Sequence, residues 1–175
     1  MNWHIPNNLS FENALQLTET LIDAMAKKQL KDYEIEEIIT TLVSSKNGGR
    51  GFFVIYLTTD LSIADNPSEG VINALKTSSD NVSELLVKNL AMSSAMVITH
   101  RRNNDEQKAQ GSDRVCKRTI NLIKQMNLEL TQQQLQELNQ TIINNEGSYQ
   151  IFLEKWGYDQ EQKHTIKNKI EQLLS

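Results

Sequence analysis

Cysteine occurs once, at Cys116, so the chain can form no internal disulfide, and with no CxxC or Cys/His cluster it offers no zinc site. A reducing compartment suits such a chain. Two prolines and seven glycines are too few for a loop-rich or low-complexity architecture. The formal net charge of −4 is mild and argues against a general binder of nucleic acid or anionic membrane. No stretch approaches the ~18 apolar residues of a membrane span, and MNWHIPNNLS lacks the basic segment and apolar run of a secretory signal. A cytoplasmic protein without a bound cofactor is expected.

What is present is the composition of helices joined by short polar turns: Leu, Ile, Gln, Glu, Lys and Asn are plentiful. The 175 residues suit one domain, 1–175, with residues 1–9 as an N-terminal arm in which Trp3 and Ile5 are docking points and Pro6 prevents an early helix. The fold class read from the pattern is all-α, a single-domain bundle of about seven to eight helices around a central apolar helix at residues 82–102. That helix carries one stripe of Val82, Leu85, Leu86, Asn89, Ser93, Met96 and Val97 and another of Val87, Leu90, Ala91, Ser94 and Ile98. Apolar residues on nearly every side mean a helix buried on nearly every side.

Cap residues set the remaining boundaries. Ser10 caps a first helix with Ala14, Leu21 and Ile22 inward; Asp32 caps a second with Ile35, Ile38, Ile39 and Leu42 inward. Asn47, Gly48 and Gly49 read as its stop. Residues 52–58 have strand-like composition, but no second strand exists for them to pair with, so a short buried helix is expected, with a strand paired across a homodimer as the exception. Asn66, Pro67 and Glu69 read as cap, first residue and capping-box partner of a further helix. Asp80 or Asn81 begins the central helix. Asn103 to Gly111 reads as a polar connection ended by the cap Ser112, Thr131 with Gln134 as a capping box, Asn144 to Ser148 as a turn, Gly157 as a helix stop and Asp159 as the last cap.

Catalytic patterns are absent. His4, His100 and His164 lie singly, without the i, i+4 spacing of paired metal ligands, and neither a nucleophile nor a metal site accompanies His100 with Asp105 and Glu106. NGGRG at 47–51 offers backbone amides and Arg50 to an anion through Gly48, Gly49 and Arg50, without the spacing of either nucleotide-binding glycine motif. Cys116, flanked by Arg114, Lys117 and Arg118, falls at the edge of the core face, where a small buried side chain outweighs a reactive thiol.

GGRGFFVIYLTTD, SELLVKNLAMSSAMVITHRRN and GSDRVCKRT resemble stretches of a small helical protein family from cyanobacteria with no assigned activity. The resemblance covers residues 10–160. It implies a cytoplasmic protein of a photosynthetic bacterium and supplies no site residues.

Charge distribution is the most informative feature for function. Residues 100–124 hold seven Lys/Arg against three acids, net +4, while residues 1–99 sum to −5 and 125–175 to −3. On a helix, Arg114, Lys117, Arg118 and Lys124 fall opposite Val115, Thr119, Leu122 and Met126. With Arg101 and Arg102 they define a candidate surface for an acidic protein partner, the plain alternative being a solvated face paired with acids such as Glu34 and Glu37. The expectation is a non-enzymatic interaction or assembly module. The second reading is a regulator that binds a small phosphorylated ligand or nucleic acid through the same patch.

Overall fold

The structure is a computed structural model and describes residues 3, 5, 6 and 8–175. Among them there are nine α-helices and no strand: α1 (Phe11–Ala26), α2 (Asp32–Val43), α3 (Lys46–Thr58), α4 (Glu69–Lys76), α5 (Ser79–Arg102), α6 (Glu106–Met126), α7 (Glu129–Asn144), α8 (Gln150–Trp156) and α9 (Gln160–Leu174). A 3₁₀ turn, Ser62–Ala64, lies between α3 and α4. The all-α reading is correct, and the count is nine where seven to eight were expected. The glycine segment belongs to α3: α2 ends at Val43, and α3 begins three residues later at Lys46.

The chain forms two compact units, Met1–Leu85 and Leu86–Ser175, and the division falls inside α5. In the first unit α1 packs on α3, and α2 packs on α3 and α4. The glycines at 48, 49 and 51 serve this packing and do not stop a helix. A Cβ on Gly51 would stand 2.5 Å from the Ala14 Cβ, and one on Gly48 would stand 1.9 Å from the Leu42 carbonyl oxygen. Hydrogen there lets α3 approach its neighbours more closely than any side chain would allow. Residues 52–58 are helical, as expected, and Phe52, Phe53 and Tyr56 are buried, with the Phe52 and Tyr56 rings stacked 5.0 Å apart.

Several caps sit elsewhere than the sequence pattern suggested. Ser10 caps α1 by accepting the Asn13 amide at 3.1 Å, as expected. Asp32 does not cap α2, whose N-cap is Lys31; its carboxylate instead accepts the Gly70 amide at 2.8 Å and the Ser68 hydroxyl, and so closes the N-terminus of α4 from a distant part of the chain. That arrangement makes Ser68, and not Asn66, the N-cap of α4. Asn81 lies inside α5 and donates its amide to the Val43 and Ser45 carbonyls at 2.9 and 3.1 Å, satisfying the end of α2. The N-terminal arm contributes Leu9, which is buried and accepts the Asn47 side-chain amide at 3.2 Å. Trp3 and Ile5 are half-buried, and the reading placed on His4 lies outside the described residues.

Between Asn81 and His100 no residue of α5 is exposed, and Val82, Leu86, Val87, Leu90, Ala91 and Ala95 are fully buried. By length and composition α5 also suffices to cross a membrane, contrary to the expectation that no stretch would, with 56% of its most apolar window buried inside the protein. Ser83, Glu84, Lys88, Asn89, Ser93 and Ser94 interrupt its apolar run, and Ser93 and Ser94 return their hydroxyls to carbonyls of the preceding turn.

In the second unit α6 starts at Glu106, six residues before the expected cap Ser112. Asn104 takes a left-handed turn (φ 55°) and Asp105 caps the helix by accepting the Lys108 amide at 3.0 Å, leaving Gly111 and Ser112 inside it. Likewise α7 begins at Glu129, and Thr131 is a buried residue of its first turn rather than a cap. Gly157 ends α8 with φ 59°, and Asp159 with Gln162 forms the capping box of α9, both as expected. Gln162 also donates to Thr99 Oγ1 at 2.9 Å and to the Ala95 carbonyl at 3.3 Å, seating the start of α9 against α5. α7 packs on α9, whose Ile166 and Ile170 are fully buried.

Candidate functional site

The candidate surface is the outer edge of α6. Its inner face is as expected at Thr119, Leu122, Ile123 and Met126, all buried, with Val115 half-buried. The six basic residues named from the sequence divide into three groups.

Arg101 and Arg102 are engaged with acids in their own unit. Arg101 donates to Glu106 at 3.3 Å, and Arg102 bridges Asp159 and Glu161. The guanidinium of Arg102 donates to the Asp159 carboxylate, which also accepts the Gln162 amide; together they hold this carboxyl below its usual range. Both arginines are about half-exposed and serve the meeting of α5 with α6 and α9.

Arg118 is buried, with 2% of its surface exposed, so it stands in the interior and not on the stripe where the helical wheel put it. The wheel gives direction around an axis but says nothing of how much of the helix its neighbours cover. α6 is covered on more than one side: Cys116 is buried too, with its Sγ 3.4 Å from the Ser94 hydroxyl. The reading of Cys116 as a small buried side chain agrees with this position.

Lys117 and Lys124 remain on the exposed edge, with Arg114 half-buried beside them. Lys117 pairs with Asp113 of the preceding turn at 2.7 Å, its side chain 75% exposed, and this hydrogen bond raises the ammonium's pKa. A lysine ammonium has three donors, so one contact within the helix leaves it able to make others. Lys124, two turns further on, is exposed. Of the two acids named in the plain alternative, Glu34 and Glu37, the first accepts the Lys31 backbone amide at 2.8 Å as part of the start of α2.

The second candidate, Gly48, Gly49 and Arg50, opens no anion cradle. The Gly48 amide donates to the Ser45 hydroxyl at 3.0 Å and the Gly49 amide to the Ser45 carbonyl at 2.9 Å, so the helix's own cap uses them. Arg50 stacks its guanidinium 4.9 Å over the Phe11 ring. A groove lined by Asn8, Leu9, Ser10, Ser45, Lys46 and Asn47 lies nearby. Among the described residues no three His, Cys, Asp or Glu side chains are grouped as metal ligands would be.

Fold and surface together define an all-helical protein whose exposed basic edge belongs to a chain of net acidic charge. The chain belongs to a family described as uncharacterised conserved protein UCP020893, matched over residues 10–173. No curated protein and no solved structure matches it.

Proposed function

We propose that this protein is a non-enzymatic helical interaction module that docks an acidic protein through the α6 edge formed by Lys117 and Lys124, with Arg114 at its margin. The supporting observation is that these lysines stand exposed two helical turns apart on one face, in a chain whose overall charge is −4. Exposed charges steer encounter and select partners by sign more than they add affinity, which suits a reversible regulatory or assembly contact. Arg118 is left out of this surface by its burial. Arg101 and Arg102 act as supports for the neighbouring helices.

The proposed setting is the cytoplasm of a cyanobacterium, supported by the resemblance of the three sequence stretches named above and by the free thiol of Cys116. Capture from a native lysate tests the proposal. The wild type should recover an acidic protein at low salt and lose it at high salt, because exposed charges are screened over ~8 Å at physiological ionic strength. Lys117→Glu with Lys124→Glu should abolish recovery while the melting temperature stays within a degree or two, as expected for exposed sites. Recovery that survives the double change removes the proposal. Salt-sensitive recovery of nucleic acid in place of protein turns it to the second reading.

A further inference from the structure

We propose that the acidic partner is a second copy of this chain, whose α1 lies antiparallel along the α6 edge with Glu12 against Lys124 and Glu19 against Lys117. The inference rests on the reading of that edge as a docking surface. It follows from matching patterns on two helix faces, the α6 face being exposed at Lys117 and Lys124 and half-buried at Arg114 and Asn121. On α6 the face runs Arg114, Lys117, Asn121, Lys124; on α1 it runs Glu12, Gln16, Glu19, Asp23, and all four of these α1 residues are exposed. Read in opposite directions, the two faces place an acid opposite each base and an amide opposite an amide. Lys117 and Lys124 are seven residues apart, as are Glu12 and Glu19, which gives the same ~10.5 Å separation along each axis. Read in the same direction, the faces match only two pairs, and the antiparallel arrangement also opposes the helix dipoles favourably.

The wider field favours the same pairing. Residues 1–85 hold six Lys/Arg against twelve Asp/Glu, and residues 86–175 hold twelve against ten, so the α1 unit is at −6 and the α6 unit at +2. One copy's acidic unit is thus drawn to the other's basic edge. Within these faces Lys117 pairs with Asp113, Asp23 pairs with Lys27, and Asn121 accepts the Gln125 side-chain amide, each contact one helical turn away.

A charge-swap experiment by sedimentation velocity decides the matter. At low salt the wild type should rise above its 20.0 kDa monomer mass as concentration increases, and return to it at high salt. Glu12→Lys with Glu19→Lys should remain monomeric, as should Lys117→Glu with Lys124→Glu. An equimolar mixture of the two variants should associate again, since each then presents the sign the other lacks. A monomeric wild type, association that persists in either variant, or a mixture that stays monomeric overturns the inference. Retention on immobilised poly-glutamate separates this from failure of the docking reading. A monomeric wild type that is retained, with retention lost in the Lys117 and Lys124 variant, removes only self-pairing; loss of both removes both.

Discussion

Gly51→Ala should destabilise the protein even though alanine is the better helix former, and the size of the effect follows from the packing of α3 on α1. In an isolated helix the exchange gains about 1 kcal/mol. Here the added Cβ would stand 2.5 Å from the Ala14 Cβ and 2.9 Å from the Ala14 carbonyl carbon, whereas carbon atoms in contact settle at about 3.5–4 Å. One of the clashing atoms is backbone, so no rotamer change relieves it and the helices must part by roughly an ångström. Overpacking of a tight core costs about 1–3 kcal/mol. The net expectation is a loss of about 1–2 kcal/mol, read as a lower urea midpoint at unchanged slope. Gly111→Ala is the control, because its Cβ would meet nothing within 4 Å and the residue lies inside α6. That change should stabilise by about 0.4–1 kcal/mol. If both substitutions stabilise, α3 does not sit against α1 as described; if Gly111→Ala destabilises, residues 106–111 belong to the connection, Asn103 to Gly111, that the sequence pattern suggested and not to a helix.

Leu86→Ala, at a fully buried site in α5, should cost about 2–5 kcal/mol in urea titrations, whereas the exposed Gln133→Ala should cost well under about 1. Equal costs would show that α5 is not a core helix. Asp32→Ala removes the acceptor for the Gly70 amide and the Ser68 hydroxyl, so it should cost about 1–2 kcal/mol, as loss of a helix cap does; were Asp32 only the first residue of α2, the change would be nearly silent. Asp159 has a folded-state pKa below its unfolded value because Arg102 and the Gln162 amide favour its charged form. Its contribution is therefore present above the unfolded value near pH 3.9 and is lost as pH falls through the folded value. Asp159→Asn keeps a capping side chain and should flatten the fall of melting temperature in that acid range, while an unchanged acid profile would detach Arg102 from this role.

Periodicity served best where burial is one-sided or complete. The inward residues of α1, α2 and α9 and the all-round burial of α5 could be read from spacing alone, because apolar area must leave water whichever element carries it. Local cap signals served where the partner amide lies three residues away, at Ser10 and Asp159. They misled where a polar side chain works at long range: Asp32 matches a cap of its own helix and instead closes α4, thirty-eight residues on at Gly70. Gly48 and Gly49 misled for a related reason, since a glycine that ends a helix and one that admits a neighbouring helix look the same in one dimension. Arg118 shows the limit for the site. Its spacing puts it on a stripe with Lys117, but the width of that stripe depends on how far other helices cover α6, which no spacing records.

The most direct measurement of the docking account is amine labelling of the lysines, read residue by residue by mass spectrometry with and without the bound acidic partner. The account predicts that Lys117 and Lys124 lose reactivity on binding while Lys155, exposed on α8, keeps its own. Protection at Lys155 or on α9 with Lys117 and Lys124 unchanged would contradict it.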